Sequence, residues 1–242
     1  GLISGGVAVM KKEVIKYLHP HHHSLENEIF PFLAASSLLY GKAYDNYFID
    51  IGIPSTLNIS QSELPSTLCR KAIFLDRDGV INVDKGHVCS IDQFDWIPGA
   101  INAIKSANTM GYLVIVITNQ SGIARGLYTE PHLRNFMDWI NNILRLHGAH
   151  IDDYYYCPHH PDAGSNNELT IECNCRKPNP GLILEAIKSW NIDPASSFLI
   201  GDNVTDIEAA INAGISGTLY DHKIDRLDSF LSRILLSQAI NK

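Results

Sequence analysis

The sequence of 242 residues lacks several features that mark large functional classes. It has no excess of positive charge: 19 Lys and Arg stand against 26 Asp and Glu, a formal net charge of −7. Nucleic-acid-binding surfaces are usually basic, so this balance argues against such a partner but leaves room for an anionic small substrate. The longest apolar run, 112–117, is far too short to cross a bilayer, and the first residues have neither the basic region nor the apolar stretch of a secretory signal.

Cysteine is also scarce, at five residues. Three of the five lie between positions 157 and 175 beside histidines, a grouping that indicates a metal cluster in a reducing compartment rather than a disulfide framework. We therefore expect a cytoplasmic protein that binds no membrane. The chain does not begin with Met, and we expect it to be part of a longer protein.

The stretch 71–82, KAIFLDRDGVIN, is the most informative part of the chain. Its apolar residues 73–75 predict a short buried strand, which leads directly into Asp76, Asp78 and Gly79. Open α/β sheets bind their ligands at the carboxyl ends of strands. Two carboxylates this close repel each other, so a cation is needed to keep both ionised. The alternative is an Asp-rich turn without function, since Asp and Gly favour turns.

From residue 70 onward, predicted strands and helices alternate, which is typical of a parallel sheet with crossover helices. We predict an α/β fold: a Rossmann-like parallel sheet with helices on both faces, a zinc-stapled loop and no large cap domain. Strands are expected at 73–75, 113–118 and 198–200, and helices at 98–110, 129–147, 180–190, 205–213 and 225–240. Residues 1–60 are predicted to form a small α+β region with strands at 7–10 and 47–54, and 61–69 a linker.

Polar residues follow several of these strands, and a parallel sheet brings them to one edge. Each has an ordinary explanation alone: Thr118 can cap a turn, Lys177 can be a solvated charge, and Asp202 can begin a helix. Together, a nucleophilic carboxylate, a hydroxyl, a cation and a metal-binding carboxylate meet the needs of phosphoryl transfer, which depends on positioning and charge neutralisation. The set comprises Asp76, Asp78, Thr118, Asn119, Arg176, Lys177, Asp202 and Asp206.

A second constellation has the spacing Cys157-x-His159 and Cys173-x-Cys175. It supplies four ligands, enough to close a tetrahedral Zn²⁺ site, and a closed site is structural rather than catalytic. His160 is a competing imidazole ligand, and free thiols in a loop are the alternative without metal.

The ordered motifs DRDGVIN, ITNQSG, CRKPNPG and IGDNVTD resemble those of the haloacid dehalogenase phosphatase superfamily. With the Cys/His cluster included, residues 70–222 are similar to the D-glycero-D-manno-heptose 1,7-bisphosphate phosphatases and to their relatives, the histidinol-phosphate phosphatases. The family pattern selects His159 over His160 as the zinc ligand. Residues 223–242 are expected to add a C-terminal helix.

The resemblance implies that Asp76 attacks phosphorus and becomes an aspartyl phosphate. Asp78 is implied as the general acid and then the general base. Mg²⁺ would be held by the Asp76 carboxylate, the Asp78 backbone carbonyl and Asp202. Asp206 is expected to be a structural support, and Asn203 stands where some relatives carry a second acidic residue.

The resemblance also implies the residues that bind the substrate. Thr118 and the backbone of Asn119 would bind phosphate oxygens, and Lys177 would neutralise the nucleophile and the phosphate together. Arg125 and Arg176 are candidates for the second, unreacting phosphate, because an Arg side chain can bind an anion with two parallel hydrogen bonds.

The segments around 5–9, 24–31 and 48–54 resemble the late part of sugar-phosphate nucleotidyltransferases. The Gly-rich nucleotide-binding start of that family is absent, so Asp50, which matches its metal-binding Asp, is expected to be inert. A phosphatase that yields a sugar 1-phosphate, fused to an enzyme that activates sugar 1-phosphates, favours a heptose bisphosphate substrate in nucleotide-activated heptose biosynthesis. The alternatives are a histidinol-phosphate phosphatase and a non-catalytic, zinc-stabilised scaffold for the nucleotidyltransferase.

Overall fold

A computed structural model describes residues 5–21, 24–44, 48–164 and 168–240, with the side chains of 65–67 and 238–240 excepted. The chain divides into two compact units, residues 1–60 and 61–242. Nowhere in the described ranges is a helix both long enough and apolar enough to cross a membrane.

The first unit is built from short helical segments. A 3₁₀ turn (Lys12–Tyr17) and a π turn (Leu25–Ile29) precede helix α1 (Phe30–Ala35). Helix α2 (Pro54–Thr67) begins in this unit and ends in the second. The described residues of this unit contain no strand, so the α+β prediction for residues 1–60 is wrong there. The helix α2 also occupies most of the predicted linker, 61–69.

Two physical reasons account for the missing strands. Val7 and Val9 are 90% and 99% exposed, so no strand among the described residues covers the predicted strand at 7–10. Pro54, interpreted as the end of a strand at 47–54, instead begins α2, where its fixed φ and missing N–H suit a first helical turn. Tyr47 itself lies outside the described residues.

The second unit contains a five-stranded parallel sheet in the order β3-β2-β1-β4-β5. Its strands are β1 (Ala72–Leu75), β2 (Leu113–Asn119), β3 (Asp153–Cys157), β4 (Phe198–Gly201) and β5 (Ser216–Leu219). The apolar runs of β1, β2 and β4 are buried, as expected for strands covered on both faces. The predicted α/β fold is confirmed.

Helices cover both faces of this sheet, as predicted. On one face, Ile73 and Leu75 join the core formed with α3 (Ala100–Thr109), α4 (Glu130–Leu146) and α7 (Leu227–Ile240). On the other face, Ala72 and Phe74 pack with α5 (Gly181–Trp190) and α6 (Val204–Asn212). In their described parts, the connections after β1, β2 and β3 consist of loops and one 3₁₀ turn (Ile91–Gln93), without a separate cap domain.

Helix α6 begins differently from the prediction. The sequence indicates Thr205 as its cap, but the N-cap is Asn203, whose Oδ1 accepts a hydrogen bond from Thr205 N at 3.1 Å. Asp206 returns the bond by accepting from Asn203 N at 3.0 Å. This reciprocal capping box satisfies two backbone donors at once, which a cap at Thr205 would not do. It also draws Asp206 toward the carboxyl end of β4.

Candidate active site

The carboxyl ends of β1, β2 and β4 border a cleft of about 410 Å³. The topology explains this position, because neighbouring parallel strands end at the same edge and β1 lies at the centre of the sheet. Predicted site residues from four separate segments line the cleft: Asp76, Asp78, Thr118, Asn119, Lys177 and Asp202.

Lys177 lies at the base of the cleft between two carboxylates. Its Nζ is 2.9 Å from Oδ1 of Asp76 and 2.6 Å from Oδ1 of Asp206, and it donates to the carbonyl of Ile117 at 2.9 Å. Both Lys177 and Asp206 are almost completely buried. Burial of an ammonium is tolerated only with partners of this kind, and here the two carboxylates raise the Lys177 pKa against the effect of desolvation.

Burial, together with the crowding of carboxylates, raises the pKa of two acids in the cleft. Burial, followed by the repulsion of Asp206, raises the pKa of Asp76 to about 7, although Lys177 opposes this rise. Burial and the nearby Asp206 raise the pKa of Asp202 to about 6. A further positive charge beside them would favour the ionised form of both acids.

One carboxylate oxygen each from Asp76, Asp202 and Asp206 lies within 4.8 Å of the others, a group that could hold a metal ion. Asp206 already binds Lys177 and Asn203 N, so Asp76 and Asp202 are the pair best placed to accept a cation. Oxygen-only donors suit Mg²⁺. Gly79 permits the approach, because a Cβ at this residue, whose φ is +83°, would overlap the Asp202 carboxylate.

Asp78 is held by several donors that the sequence interpretation missed. Arg77 Nη2 contacts its two carboxylate oxygens at 2.9 and 2.7 Å, and Arg77 is fully buried. Asn82 Nδ2 donates to Asp78 Oδ1 at 2.9 Å, and Gln120 Nε2 donates to Oδ2 at 3.1 Å. Arg77 and Asn82 belong to the motif DRDGVIN, so the sequence shows that they lie near Asp78. It does not show that both donate to the Asp78 carboxylate.

The end of β2 carries a second hydrogen-bonded group. Gln120 Nε2 also donates to Thr118 Oγ1 at 2.8 Å, and Tyr128 OH donates to Gln120 Oε1 at 2.6 Å. The side chain of Asn119 bonds the backbone of Lys177 at both its N–H and its carbonyl. Gln120 directly follows the predicted pair, whereas nothing in the sequence indicates Tyr128.

The four predicted zinc ligands, Cys157, His159, Cys173 and Cys175, come together at one point. Their sulfur atoms are 3.2 to 3.5 Å apart, and His159 Nδ1 is 3.2 Å from Cys175 Sγ. Sulfur ligands about 2.3 Å from a tetrahedral Zn²⁺ would be about 3.8 Å apart, so a small expansion accommodates the ion. His160 lies outside the cluster, with Nδ1 accepting from Asp162 N and Nε2 near Arg125.

The two predicted phosphate-binding arginines occupy different positions. Arg176 lines the cleft and donates from Nη1 to the carbonyl of His159 at 3.3 Å. Arg125 contacts His160 instead, with 3.3 Å between Nη2 and Nε2. Desolvation and the charges of Arg176 and Arg125 lower the pKa of His160. The three side chains therefore form a basic group beside the zinc-ligand loop.

Several known proteins are similar to this chain in sequence or in fold. A family model described as HAD-hydrolase-like matches residues 174–229. The D-glycero-β-D-manno-heptose-1,7-bisphosphate 7-phosphatase of Pasteurella multocida (strain Pm70) is 47% identical over 150 residues, which cover 62% of this chain and 80% of that protein. The protein of the same name from Escherichia coli (strain K12) is 46% identical over 144 residues, 60% of this chain and 75% of the relative.

A solved structure gives the same result at the level of the fold. The D,D-heptose 1,7-bisphosphate phosphatase from B. bronchiseptica, complexed with magnesium and phosphate, has a TM-score of 0.60 at 30% identity. The match covers 69% of this chain and 99% of that one. The fold and these relatives define a phosphatase of the haloacid dehalogenase superfamily. Within it, the chain belongs to the D-glycero-D-manno-heptose 1,7-bisphosphate phosphatase family.

Proposed function

We propose that this enzyme hydrolyses the 7-phosphate of D-glycero-β-D-manno-heptose 1,7-bisphosphate through an aspartyl-phosphate intermediate on Asp76. The observation that carries the reaction is the position of Asp76, paired with buried Lys177 and facing Asp202 across the cleft. The substrate and its anomer follow the names of relatives that are 46% and 47% identical.

In the first half of the reaction, an Asp76 carboxylate oxygen attacks phosphorus. The bond between phosphorus and the sugar oxygen breaks, and Asp78 donates a proton to that oxygen. Thr118 binds a phosphate oxygen, and Lys177 offsets the negative charge shared by the carboxylate and the phosphoryl group. Mg²⁺, which Asp76, the Asp78 carbonyl and Asp202 would hold, would supply further charge neutralisation when bound.

In the second half, water attacks the phosphorus of the aspartyl phosphate. Asp78, now ionised, accepts the proton from that water, the phosphorus–oxygen bond to Asp76 breaks, and inorganic phosphate leaves. The donors from Arg77, Asn82 and Gln120 hold the Asp78 carboxylate in place for this step. The cycle ends with Asp76 again a carboxylate paired with Lys177.

The unreacting 1-phosphate is assigned to Arg125 and Arg176, the two arginines of the basic group beside the zinc-ligand loop. Arg176 lines the cleft, and its bond to the carbonyl of His159 connects its position to the Cys/His cluster. We assign structural Zn²⁺ to this cluster, because four protein ligands leave no open coordination position for water or substrate. The zinc then fixes the loop that carries the substrate-facing residues.

The proposal extends to the context of the enzyme. The resemblance of residues 1–60 to a sugar-phosphate nucleotidyltransferase supports a bifunctional protein in nucleotide-activated heptose biosynthesis, which serves lipopolysaccharide or cell-surface polysaccharide. The chemistry agrees, since removal of the 7-phosphate leaves a sugar 1-phosphate of the kind that nucleotidyltransferases use. Free thiols that ligate zinc suit a reducing compartment, which supports a cytoplasmic location.

The test is phosphate release with Mg²⁺ from the two anomers of heptose 1,7-bisphosphate and from histidinol phosphate. We expect the β anomer to give the highest kcat/KM, and turnover of histidinol phosphate alone would contradict the substrate. Asp76→Asn should abolish release without changing the fold, as followed by thermal unfolding. Glu185→Gln, the same change at an exposed residue of α5, is the matched control. No release from any ester would instead favour the non-catalytic scaffold.

A further inference from the structure

The side chain of Asn119 holds the main chain of Lys177 at two points. Asn119 Oδ1 accepts a hydrogen bond from Lys177 N at 3.1 Å, and Asn119 Nδ2 donates to Lys177 O at 3.2 Å. Asn119 is the last residue of β2, 58 positions earlier in the chain. The carbonyl of Ile117, also on β2, accepts from Lys177 Nζ at 2.9 Å. One strand end therefore binds both the backbone and the ammonium group of this lysine.

Lys177 needs such support because it lies in a loop rather than in a helix or strand. A lysine side chain has a flexible four-carbon stem, so the direction of its ammonium group depends on where its backbone is held. Productive catalytic geometry tolerates displacements of only about 0.5 Å. On the N-terminal side, the loop is attached to the Cys/His cluster through Cys175, two residues earlier. Asn119 supplies the attachment at Lys177 itself.

We infer that Asn119 is a positioning residue for Lys177. The Asn119 carboxamide sets the distance between the lysine ammonium and the Asp76 carboxylate. This role belongs to the side chain and is separate from phosphate binding by the Asn119 backbone. It rests on the proposed function, in which Lys177 neutralises the nucleophile and the phosphoryl group. It also explains how the end of β2, which carries Thr118, keeps the phosphate-binding hydroxyl and the lysine in register.

The first test needs no catalysis. Hydrogen exchange of the Lys177 amide, followed in the wild-type protein and in Asn119→Ala, should become faster when its acceptor is removed. Asn212→Ala is the matched control, because Asn212 Nδ2 donates to the carbonyl of the next residue, Pro178, at 3.1 Å. Exchange at Lys177 should change little in that variant. Equal exchange of the Lys177 amide in the wild type and in Asn119→Ala would overturn the inference, whatever the substrate of the enzyme.

The second test is kinetic and uses a double-mutant cycle. We expect Asn119→Ala to lower kcat on the order of 10²-fold, with KM and Mg²⁺ affinity little changed, because misplacement by about 1 Å has effects of this size. In a Lys177→Ala background the same substitution should have almost no further effect, since its target is gone. A full effect in that background, or an unchanged kcat in an active wild-type background, would refute the role.

Two further outcomes are distinguishable. If Asn119→Ala unfolds, Asn119→Gln keeps the carboxamide but moves it by one methylene, and the same loss of kcat without loss of Tm is expected. If the wild-type enzyme releases no phosphate from any ester, the proposed function fails, and the exchange experiment alone decides whether Asn119 holds Lys177.

Discussion

Gly79 offers a sharp test of the proposed metal site. Its φ of +83° lies in the left-handed region, and a Cβ built on it would overlap Oδ2 and Cγ of Asp202 and lie 3.1 Å from Asp202 Cβ. Gly79→Ala therefore has two effects that can be separated. One is backbone strain, and the other is displacement of a carboxylate that we assign to Mg²⁺.

The size of each effect follows from the structure. Left-handed backbone costs a residue with a Cβ roughly 1–2 kcal/mol of stability. The overlap with Asp202 can be relieved only by moving that side chain, because Gly79 is fixed in the turn by a 2.7 Å bond from its N–H to the carbonyl of Asn82. Even residues that merely orient a metal ligand change metal affinity by about 10- to 100-fold. We expect a loss of Mg²⁺ affinity of at least this size.

The assay is calorimetric titration with Mg²⁺, together with unfolding in urea. Gly111→Ala is the matched control, because Gly111 has nearly the same φ, +76°, and nothing within 4 Å of a built Cβ. Both variants should lose similar stability, but only Gly79→Ala should lose Mg²⁺ affinity and kcat. If the two variants bind Mg²⁺ equally well, Asp202 is not the ligand that we assign, and the reasoning is refuted.

Three further predictions concern the same site. Mg²⁺ affinity should be full only well above pH 7 and should fall as the pH drops through 7 and 6, because the raised pKa values of Asp76 and Asp202 let protons compete with the ion. A pH-independent affinity in calorimetry would contradict this. Asp206→Ala should lower the free energy of unfolding in urea by at least about 3 kcal/mol, because buried Lys177 loses one of its partners. Glu208→Ala, at an exposed position of the same helix, should lower it only slightly. Chelation of Zn²⁺ should release one ion per chain, and it should raise KM by a larger factor than the dissociation constant for Mg²⁺. Unchanged kinetics in zinc-free, Mg²⁺-restored enzyme would contradict the role of the loop.

Much of the second unit could be predicted because buried strands have a simple and recognisable residue pattern. The strands β1, β2 and β4 are covered on both faces, so each is a continuous apolar run. The edge strands β3 and β5 are only partly buried, and neither has such a run, so both were missed. The prediction for residues 1–60 failed for a different reason: the apolar segment 7–10 is exposed and pairs with no strand in the described part of the chain.

Local order along the chain was also sufficient to identify the acids at the strand ends and the Cys/His spacing. These features depend on residues that are neighbours in sequence or that follow successive strands of one sheet, and a parallel sheet gathers them without further information. The prediction for Asp78 was incomplete, because the donor Gln120 directly follows the next strand along the chain, β2. The prediction that Thr205 caps α6 was wrong, because Asp206 reaches back to Asn203 instead.

The sequence by itself determined the α/β class of the second unit, its three buried strands and the acids that follow them, because each depends on burial, residue type and order along the chain. Only the tertiary structure decided which oxygens Lys177 binds and that Asn119 holds a peptide 58 positions away. These contacts join side chains from different strands and loops. Their distances depend on how the whole sheet is assembled, and no local pattern records them.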